Sequence, residues 1–303
     1  MSYFNNGNLL IAAWFAYTVR AAVALRIMGA YPNMKGVAAR PRSLGERLEH
    51  LAYRAPFALA ICSRDGSGGG WFMDRALSRK TPRISMINGL DWGAQGRPGP
   101  DEREASMGGG EKLPVILFLG KMEREKGCDE FLSALLALLE EREGNLEAVM
   151  IGTGPREEAL RRKASRSRHA QRIRLISRVP HAHILQWHRS ADVYVSLNKL
   201  GSLSNANLEA MAFGGVVVCL ESDPGNQVDL ETDVLFPSNA VVRIGREDIE
   251  GNLLKALRHL LDHPDERKAR GLRTRDLARR LIPSWEERIE REVDLLQGLS
   301  GAG

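Results

Sequence analysis

Short apolar runs alternate along most of the chain with longer segments of helical apolar spacing. Helical spacing puts apolar side chains on one face of a helix, whereas a short, wholly apolar run is typical of a buried strand. From residue 114 onwards the predicted strands are 114–119, 146–151, 173–176, 193–197, 216–220 and 234–236. The predicted helices are 129–142, 156–167, 183–190, 205–213 and 248–262.

This alternation predicts an α/β domain. Strands that are apolar throughout are buried on both faces, and crossover helices join parallel neighbours. We therefore expect a doubly wound parallel sheet, with ligands bound beyond the carboxyl ends of its strands.

The first part of the chain has a less regular pattern. Its predicted elements are a helix over 9–28, an extended or turn-like segment over 32–41, a helix over 44–53 with Ser43 as N-cap, a strand over 57–62, a helix over 71–77 and a strand over 84–87. The apolar run 9–19 is too short to span a bilayer, which takes about 20 residues. A helix lying on a membrane surface is the alternative to a buried helix for this segment.

Residues 93–110 separate the two parts of the chain. This segment, GAQGRPGPDEREASMGGG, is rich in glycine, proline and charge and has no apolar periodicity. Such a composition is typical of a linker. We therefore expect one domain over 1–92, a linker over 93–110 and a second domain over 111–303.

Composition and charge exclude some classes of protein and leave others open. Of 303 residues, 43% are apolar and 27% charged, which excludes a disordered chain and a polytopic membrane protein. Residues 1–110 hold 14 Lys and Arg against 8 Asp and Glu, so the net charge of +5 arises there. A basic excess attracts nucleic acid, anionic lipid or a phosphorylated substrate, although a solvated arginine-rich surface explains it equally well. The three cysteines lie far apart, which favours a reducing compartment.

Two loops after predicted strands carry candidate chemistry. In GKMEREKG, Lys121 and Lys126 suit a diphosphate, and a solvated charged turn is the alternative. In GTGP, Gly152 and Gly154 permit close approach of the backbone to a ligand. A tight strand-to-helix turn explains these glycines equally well.

A third loop enters the helix predicted over 205–213. Free N–H groups and the dipole at a helix N-terminus favour an anion, although Ser204 or Asn205 also suits a plain N-cap. Glu209, just over one turn inside the helix, is either an acceptor for sugar hydroxyls or an ordinary surface acid.

The order of the segments GKMEREKG, IGTGP, ADVYVSLN, NLEAMAFGG and VVVC resembles the donor-binding domain of the GT-B glycosyltransferases, specifically the retaining glycosyltransferase family 4, or glycosyl transferases group 1. The resemblance runs from about Leu113 to the end, where Trp285 and Glu286 begin a helix similar to the family's last one. Upstream, Ile87 to Asp91 resembles the turn before the family's linker.

This resemblance implies an architecture. It is the GT-B fold of two Rossmann-like doubly wound domains, with an acceptor-side domain over 1–92 and a nucleotide-sugar-binding domain over 111–303. The final helix is expected to return toward the N-terminal domain. The family's opening strand and glycine-rich loop have no counterpart before the helix predicted over 9–28, so an incomplete, truncated N-terminal domain is expected.

The resemblance also implies residue roles. Lys121 and Lys126 match the basic residues that hold the donor diphosphate and stabilise the leaving nucleotide, so they are the expected catalytic residues. Glu209 matches the Glu that ends the family's E-x7-E motif and binds the ribose hydroxyls. The expected donor-binding residues are Gly120, Gly152, Gly154, Val179, Leu203, Ser204, Asn205 and Glu209.

One position of this chain departs from the family's E-x7-E motif, and one group of histidines is not explained by the resemblance. The first Glu of the motif would stand at position 201, which is Gly201, and this leaves the donor sugar open. His181, His183 and His188 have spacing that a metal site would need. Because the family's chemistry is metal-independent, no metal ligand and no cofactor is expected.

These observations predict a hexosyltransferase-type enzyme. It would move a sugar from a nucleoside-diphosphate sugar to a hydroxyl of an acceptor glycan or glycolipid, with retention. The alternatives are a non-catalytic nucleotide-sugar-binding protein, a nucleic-acid-binding protein, for which no binding motif is present, and a sugar epimerase on the same fold. We expect a cytoplasmic protein without a nucleic-acid partner, whose basic N-terminal region contacts the inner face of a membrane.

Overall fold

A computed structural model describes residues 1–19, 21–92 and 113–300, apart from the side chains of residues 181, 182 and 300. The chain divides into two compact units. The first comprises Met1–Asp91, Asp223–Leu230 and the chain from Ile282 onwards, and the second comprises Trp92–Ser222 and Glu231–Leu281. The linker expected over 93–110 lies outside the described residues.

The first unit contains a parallel sheet whose strands follow one another in chain order. Its strands are β1 (Ser2–Asn5), β2 (Val23–Ile27), β3 (Leu59–Ser63) and β4 (Arg83–Met86). Its helices up to this point are α1 (Leu9–Thr18), α2 (Pro32–Ala39), α3 (Leu44–Tyr53) and α4 (Gly69–Ala76). Since crossovers between parallel strands are right-handed, helices that join consecutive neighbours lie on the same face of the sheet.

The second unit contains a parallel sheet in the order β10-β9-β8-β5-β6-β7. Its strands are β5 (Val115–Leu119), β6 (Glu147–Ile151), β7 (Ile173–Ile176), β8 (Val193–Ser196), β9 (Val216–Leu220) and β10 (Val242–Ile244). Its helices are α5 (Cys128–Glu141), α6 (Glu157–Ser165), α7 (His181–Ser190), α8 (Asn205–Phe213), α9 (Thr232–Leu235), α10 (Ile249–Asp262) and α11 (Pro264–Leu281). The α/β class with two parallel sheets is confirmed.

The last helix, α12 (Trp285–Ser300), belongs to the first unit. Ser284 and Glu287 cap its start reciprocally, because each side chain accepts a hydrogen bond from the other's backbone N–H. Leu296 of this helix is buried with Ala24 and Ile61, in a core separate from the one that α1 to α4 cover.

The helix predicted over 9–28 is wrong in its second half. The helix ends at Thr18, and β2 begins at Val23 and pairs with β1 and β3. A short apolar run does not distinguish a buried strand from a buried helix. Residues 23–27 form a strand because they pair with β1 and β3. β1 itself was not predicted from the sequence.

Two further predictions are corrected. The segment 32–41 is helical over Pro32–Ala39 rather than extended or turn-like. Pro32 occupies the first turn, where proline's missing N–H costs nothing. The strand expected over 234–236 is instead a single helical turn, Thr232–Leu235. The remaining elements predicted after residue 114 are confirmed to within two residues at each end, whereas β10 and α11 were not predicted.

None of the described helices is long and apolar enough to cross a membrane.

Candidate functional site

The strand order of the second sheet defines where a ligand would bind. From β5 the chain proceeds outwards through β6 and β7, and after returning to β8 it proceeds the other way through β9 and β10. The loops after β5 and β8 therefore separate at a topological switch point, where doubly wound sheets bind their ligands. Gly120 follows β5, and Leu203 lies in the loop that follows β8.

The lysine loop, residues 120–127, leaves the carboxyl end of β5. Lys121 is largely exposed, with its Nζ 3.8 Å from an Oε of Glu123. Lys126 is half-buried in a 3-10 turn that ends at Gly127. Gly127 has a φ of 69°, and a Cβ there would lie 2.3 Å from the Cβ of Leu197. Because no other residue fits, this glycine fixes the end of the lysine loop against the end of β8.

A second contact joins the same two segments. The backbone N–H of Lys199, just after β8, donates to the carbonyl of Glu125 at 2.9 Å. The Lys199 ammonium lies 2.8 Å from an Oε of Glu130 on α5. The structure therefore brings the predicted lysine loop and the segment after β8 together.

The glycines of the GTGP loop approach protein rather than open space. A Cβ on Gly152 would lie 1.9 Å from the Gly120 carbonyl oxygen, and a Cβ on Gly154 would lie 2.5 Å from that of Met122. The Met122 N–H also donates to the Thr153 carbonyl at 2.9 Å. The tight packing of these two loops thus explains the need for glycine at both positions.

An ion pair ties the next part of this loop to α5. Arg156 donates to both carboxylate oxygens of Asp129, in the first turn of α5. The hydrogen bond from Arg156 holds the pKa of Asp129 below its usual value. The start of α5 and the end of the loop after β6 are therefore joined by a charge pair.

A buried asparagine that the sequence analysis missed organises the start of α8. The Asn207 Oδ1 accepts from the hydroxyls of Ser204 and Tyr194 at 3.0 Å each. Its Nδ2 donates to Ser196 Oγ and the Ser202 carbonyl at 2.9 Å each. Asn207 thereby joins the end of β8, the following loop and α8. The sequence signal was weak, because Asn205 in the same first turn is also an asparagine.

The N-terminus of α8 is arranged as an anion site would need. Ser204 occupies the N-cap position, but its side chain makes no capping hydrogen bond to the helix backbone, because its hydroxyl is directed to Asn207. Leu203 is buried and Asn205 is exposed. The predicted residues 203–205 therefore present the beginning of a helix at the carboxyl end of the sheet.

Glu209 is buried, with 9% of its surface exposed, and is not the surface acid of the alternative interpretation. Its Oε2 lies 3.5 Å from Nε2 of His188, which is itself buried. The His188 ring stacks with Phe213 and lies 5.3 Å from the Tyr194 ring, between centroids. Burial, and next the charge of Glu209, raise the pKa of Tyr194, which therefore remains a neutral hydrogen-bond donor.

The remaining candidates lie after β7. Val179 is half-buried in the loop that leads into α7. His188 faces Glu209, whereas His183 is exposed. Among the side chains that the structure describes, no group of three or more His, Cys, Asp and Glu residues is placed to hold a metal ion.

The fold is that of the GT-B glycosyltransferases. Sucrose-phosphate synthase from Thermosynechococcus elongatus superposes with a TM-score of 0.74 at 16% identity, over 99% of this chain and 74% of that one. Anabaena HepE in complex with UDP and glucose superposes with a TM-score of 0.74 at 12% identity, over 98% of this chain and 77% of HepE. An α,α-trehalose-phosphate synthase from Burkholderia vietnamiensis superposes with a TM-score of 0.70 at 15% identity, over 99% of this chain and 72% of the synthase.

Residues 113–263, just under half of the chain, match the family described as Glycosyl transferases group 1. The lipopolysaccharide core biosynthesis mannosyltransferase LpsB of Rhizobium meliloti is 28% identical over 147 residues, which are 46% of this chain and 41% of LpsB. Granule-bound starch synthase 1 of Triticum aestivum is 23% identical over 146 residues, which are 48% of this chain and 22% of the synthase. The chain thus matches less than half the length of each of these curated relatives.

Proposed function

We propose that the protein is a retaining glycosyltransferase that uses a nucleoside-diphosphate sugar. In the reaction, the bond between the sugar's anomeric carbon and the diphosphate breaks, and a bond from that carbon to an acceptor hydroxyl oxygen forms. The acceptor hydroxyl gives up its proton, and the nucleoside diphosphate leaves. The observation that carries the proposal is the contact between Gly127 and Leu197, which joins the lysine loop to the segment leading into α8 at the switch point.

The side chains around this contact suit the charge changes of the reaction. Lys121 and Lys126 would neutralise charge on the leaving diphosphate, and each charge-assisted hydrogen bond contributes roughly 1.5–3 kcal/mol. The N-terminus of α8, over residues 203–205, would add its dipole. Glu209 would accept hydrogen bonds from ribose hydroxyls, with His188 holding its carboxylate in place.

The rest of the loop cluster would shape the donor pocket. Gly152 and Gly154 hold the loop after β6 against the lysine loop, and Gly120 leaves the carboxyl end of β5 without a side chain. Val179 lies in the loop that, in the family resemblance, passes the nucleotide base. We propose that no metal or cofactor takes part.

We further propose a hexose donor and a glycan or glycolipid acceptor in polysaccharide biosynthesis. The support is the similarity to a lipopolysaccharide core mannosyltransferase and to a starch synthase. A cytoplasmic location, with the inner membrane face as the place of the acceptor, fits this class of product.

A second candidate is a protein that binds the nucleotide sugar without turning it over. The observation that favours it is Gly201, which is buried with a φ of 140° at the position where the family resemblance implies an acidic side chain. A glycine offers no carboxylate to the donor sugar. Repeated release of nucleoside diphosphate from a sugar donor would exclude this candidate.

Calorimetry with a panel of nucleoside diphosphates and their sugars tests the proposal. We expect micromolar to millimolar binding that weakens about tenfold or more in Lys121→Ala, Lys126→Ala and Glu209→Gln. Lys255→Ala is the matched control, because Lys255 is an exposed lysine on α10. A folded wild type that binds none of the panel, or variants that bind as the wild type does, would contradict the proposed donor site.

A further inference from the structure

Helix α1 exposes an apolar outer face. Its inner face, with Leu9, Ala12 and Ala13, is buried in the first unit. Four large side chains of the opposite face are exposed: Leu10, Ile11, Trp14 (61%) and Tyr17 (67%). A helix that is apolar all round normally has a partner on each side, and among the described residues nothing covers this face of α1.

Helix α3 carries a second apolar stripe. Leu44 (76% exposed), Leu48 and Leu51 recur at intervals of four and three residues and therefore lie on one side of the helix. The buried side of α3 is formed by Ala52 and Tyr53. The amphipathic pattern of α3 thus has an apolar stripe on its solvent side as well.

The two stripes lie on neighbouring helices of one layer. Both helices lie in the layer that covers one face of the first sheet, and their inner residues share one core. Leu10 and Ile11 of α1 also line the same cavity, of about 540 Å³, as Glu49 of α3. We refer to the surface formed by Leu10, Ile11, Trp14, Tyr17, Leu44, Leu48 and Leu51 as the α1–α3 face.

Basic residues accompany the α1–α3 face. Four arginines on or next to α3 are exposed: Arg40, Arg42, Arg47 and Arg54. The acidic residues of the same helix are Glu49 and Glu46, and Glu46 accepts hydrogen bonds from the backbone N–H groups of Arg42 and Ser43. Over residues 6–80 the sequence holds eleven Lys and Arg against four Asp and Glu.

We propose that the α1–α3 face docks this protein on a bilayer surface that contains anionic lipid. Tryptophan and tyrosine occupy the boundary between acyl chains and headgroups, and leucines on the outer side of α1 and α3 would enter the acyl region. Arginines beside them would pair with anionic headgroups. At 10 residues, α1 extends about 15 Å, so it would lie in the interface rather than cross the bilayer.

Charge favours a lipid surface over a second copy of the chain. In a two-fold dimer the same face meets itself, so the arginines of one copy would approach those of the other. An anionic surface complements them instead. The inference is independent of sugar transfer, because docking requires neither a donor nor an acceptor.

Co-sedimentation with vesicles tests the proposal. The wild-type chain, without nucleotide, is mixed with vesicles of phosphatidylcholine alone and with vesicles that also contain phosphatidylglycerol. We expect binding to the anionic vesicles that falls in high salt. Arg42→Gln with Arg47→Gln should reduce it about thirtyfold, which corresponds to about fivefold for each arginine near such a surface.

The apolar part is tested by Trp14→Ser combined with Leu48→Ser, which we expect to reduce binding at least about tenfold. Val234→Ser, an exposed valine of the second unit, is the apolar control. Arg166→Gln with Lys255→Gln, at exposed positions of the same unit, is the charge control. All of these positions are exposed, and a thermal melt of each variant confirms that it is folded.

Three results would overturn the proposal. The first is no binding of the wild type to anionic vesicles. The second is equal binding of the wild type and the α1–α3 variants. The third is a wild-type dimer in light scattering that Trp14→Ser with Leu48→Ser converts to a monomer, because the face would then serve a second copy. Nucleotide-sugar binding by calorimetry is measured on the same preparations, so loss of docking and loss of the donor site are seen separately.

Discussion

Glu209 Oε2 lies 3.5 Å from Nε2 of His188, and both side chains are buried behind the start of α8. An imidazole at this distance restricts where the carboxylate points. If Glu209 binds ribose as proposed, His188 would act as a positioning residue for the donor.

We expect His188→Phe to weaken nucleoside-diphosphate binding about five- to tenfold. The phenyl ring keeps the stacking with Phe213 but offers no polar partner to Glu209. Calorimetry measures the loss, and Glu209→Gln, which changes the proposed acceptor itself, should lose more. Donor binding by His188→Phe at wild-type strength would mean that the imidazole does not position Glu209.

Two glycines of the site should respond differently to alanine. In Gly152→Ala, the new Cβ would lie 1.9 Å from the Gly120 carbonyl oxygen, at a φ of 148°. We expect a loss of about 2–4 kcal/mol in the free energy of unfolding. In Gly120→Ala, the new Cβ meets only the Phe118 ring, at 4.0 Å.

Gly120→Ala should therefore unfold at the same urea concentration as the wild type while binding the donor less well. Urea unfolding and calorimetry on both variants check the pair. Equal stability of Gly152→Ala and Gly120→Ala would contradict the packing of these two loops.

Asn207→Ala should cost both stability and donor binding. It removes four hydrogen bonds and leaves the buried Ser196 hydroxyl without its amide donor. We expect a loss of about 2–4 kcal/mol in the free energy of unfolding, measured with urea. Asn239→Ala, at an exposed asparagine of the same unit, should change stability by less than about 0.5 kcal/mol.

The sequence was informative where a pattern is local. The apolar strands β5, β6, β8 and β9 were recognisable because both of their faces are buried. The N-cap of α3 was recognisable from Ser43. β2 was hidden because a short apolar run is ambiguous until its neighbouring strands are known.

The candidate site residues were predicted from their positions after strands, which bring loops together at one edge of a sheet, and from the family resemblance. The contacts of Asn207 and His188 could not be predicted, because their partners lie on other elements of the fold and are not neighbours in the sequence. Asn207 meets Tyr194 across the β8–α8 connection, and His188 meets Glu209 from another helix. The packing of Gly152 on Gly120 likewise depends on the pairing of β5 with β6.

Glu292 of α12 should make the stability of the first unit depend on pH. Its carboxylate accepts hydrogen bonds from Arg26, Tyr3 and Arg288. Burial by itself would raise the pKa of Glu292, but these hydrogen bonds outweigh it and hold the pKa below its usual value. Burial, and next the hydrogen bond to Glu292, raise the pKa of Tyr3 to about 12, so the phenol stays a donor at neutral pH.

Because the folded-state pKa of Glu292 lies below the unfolded value, its stabilisation is fully present above the unfolded pKa of about 4.5. It is lost as the pH falls through the lower, folded-state pKa. Glu292→Gln leaves Arg26 and Arg288 largely buried without their carboxylate, and we expect a loss of roughly 2–4 kcal/mol at pH 7. Urea unfolding at pH 7 and at pH 3 should show that the difference in free energy of unfolding between the wild type and Glu292→Gln is smaller at pH 3. Glu290→Gln, at an exposed position of the same helix, should have the wild-type free energy of unfolding at both pH values. If Glu292→Gln loses the same free energy of unfolding at pH 3 as at pH 7, packing rather than charge is responsible.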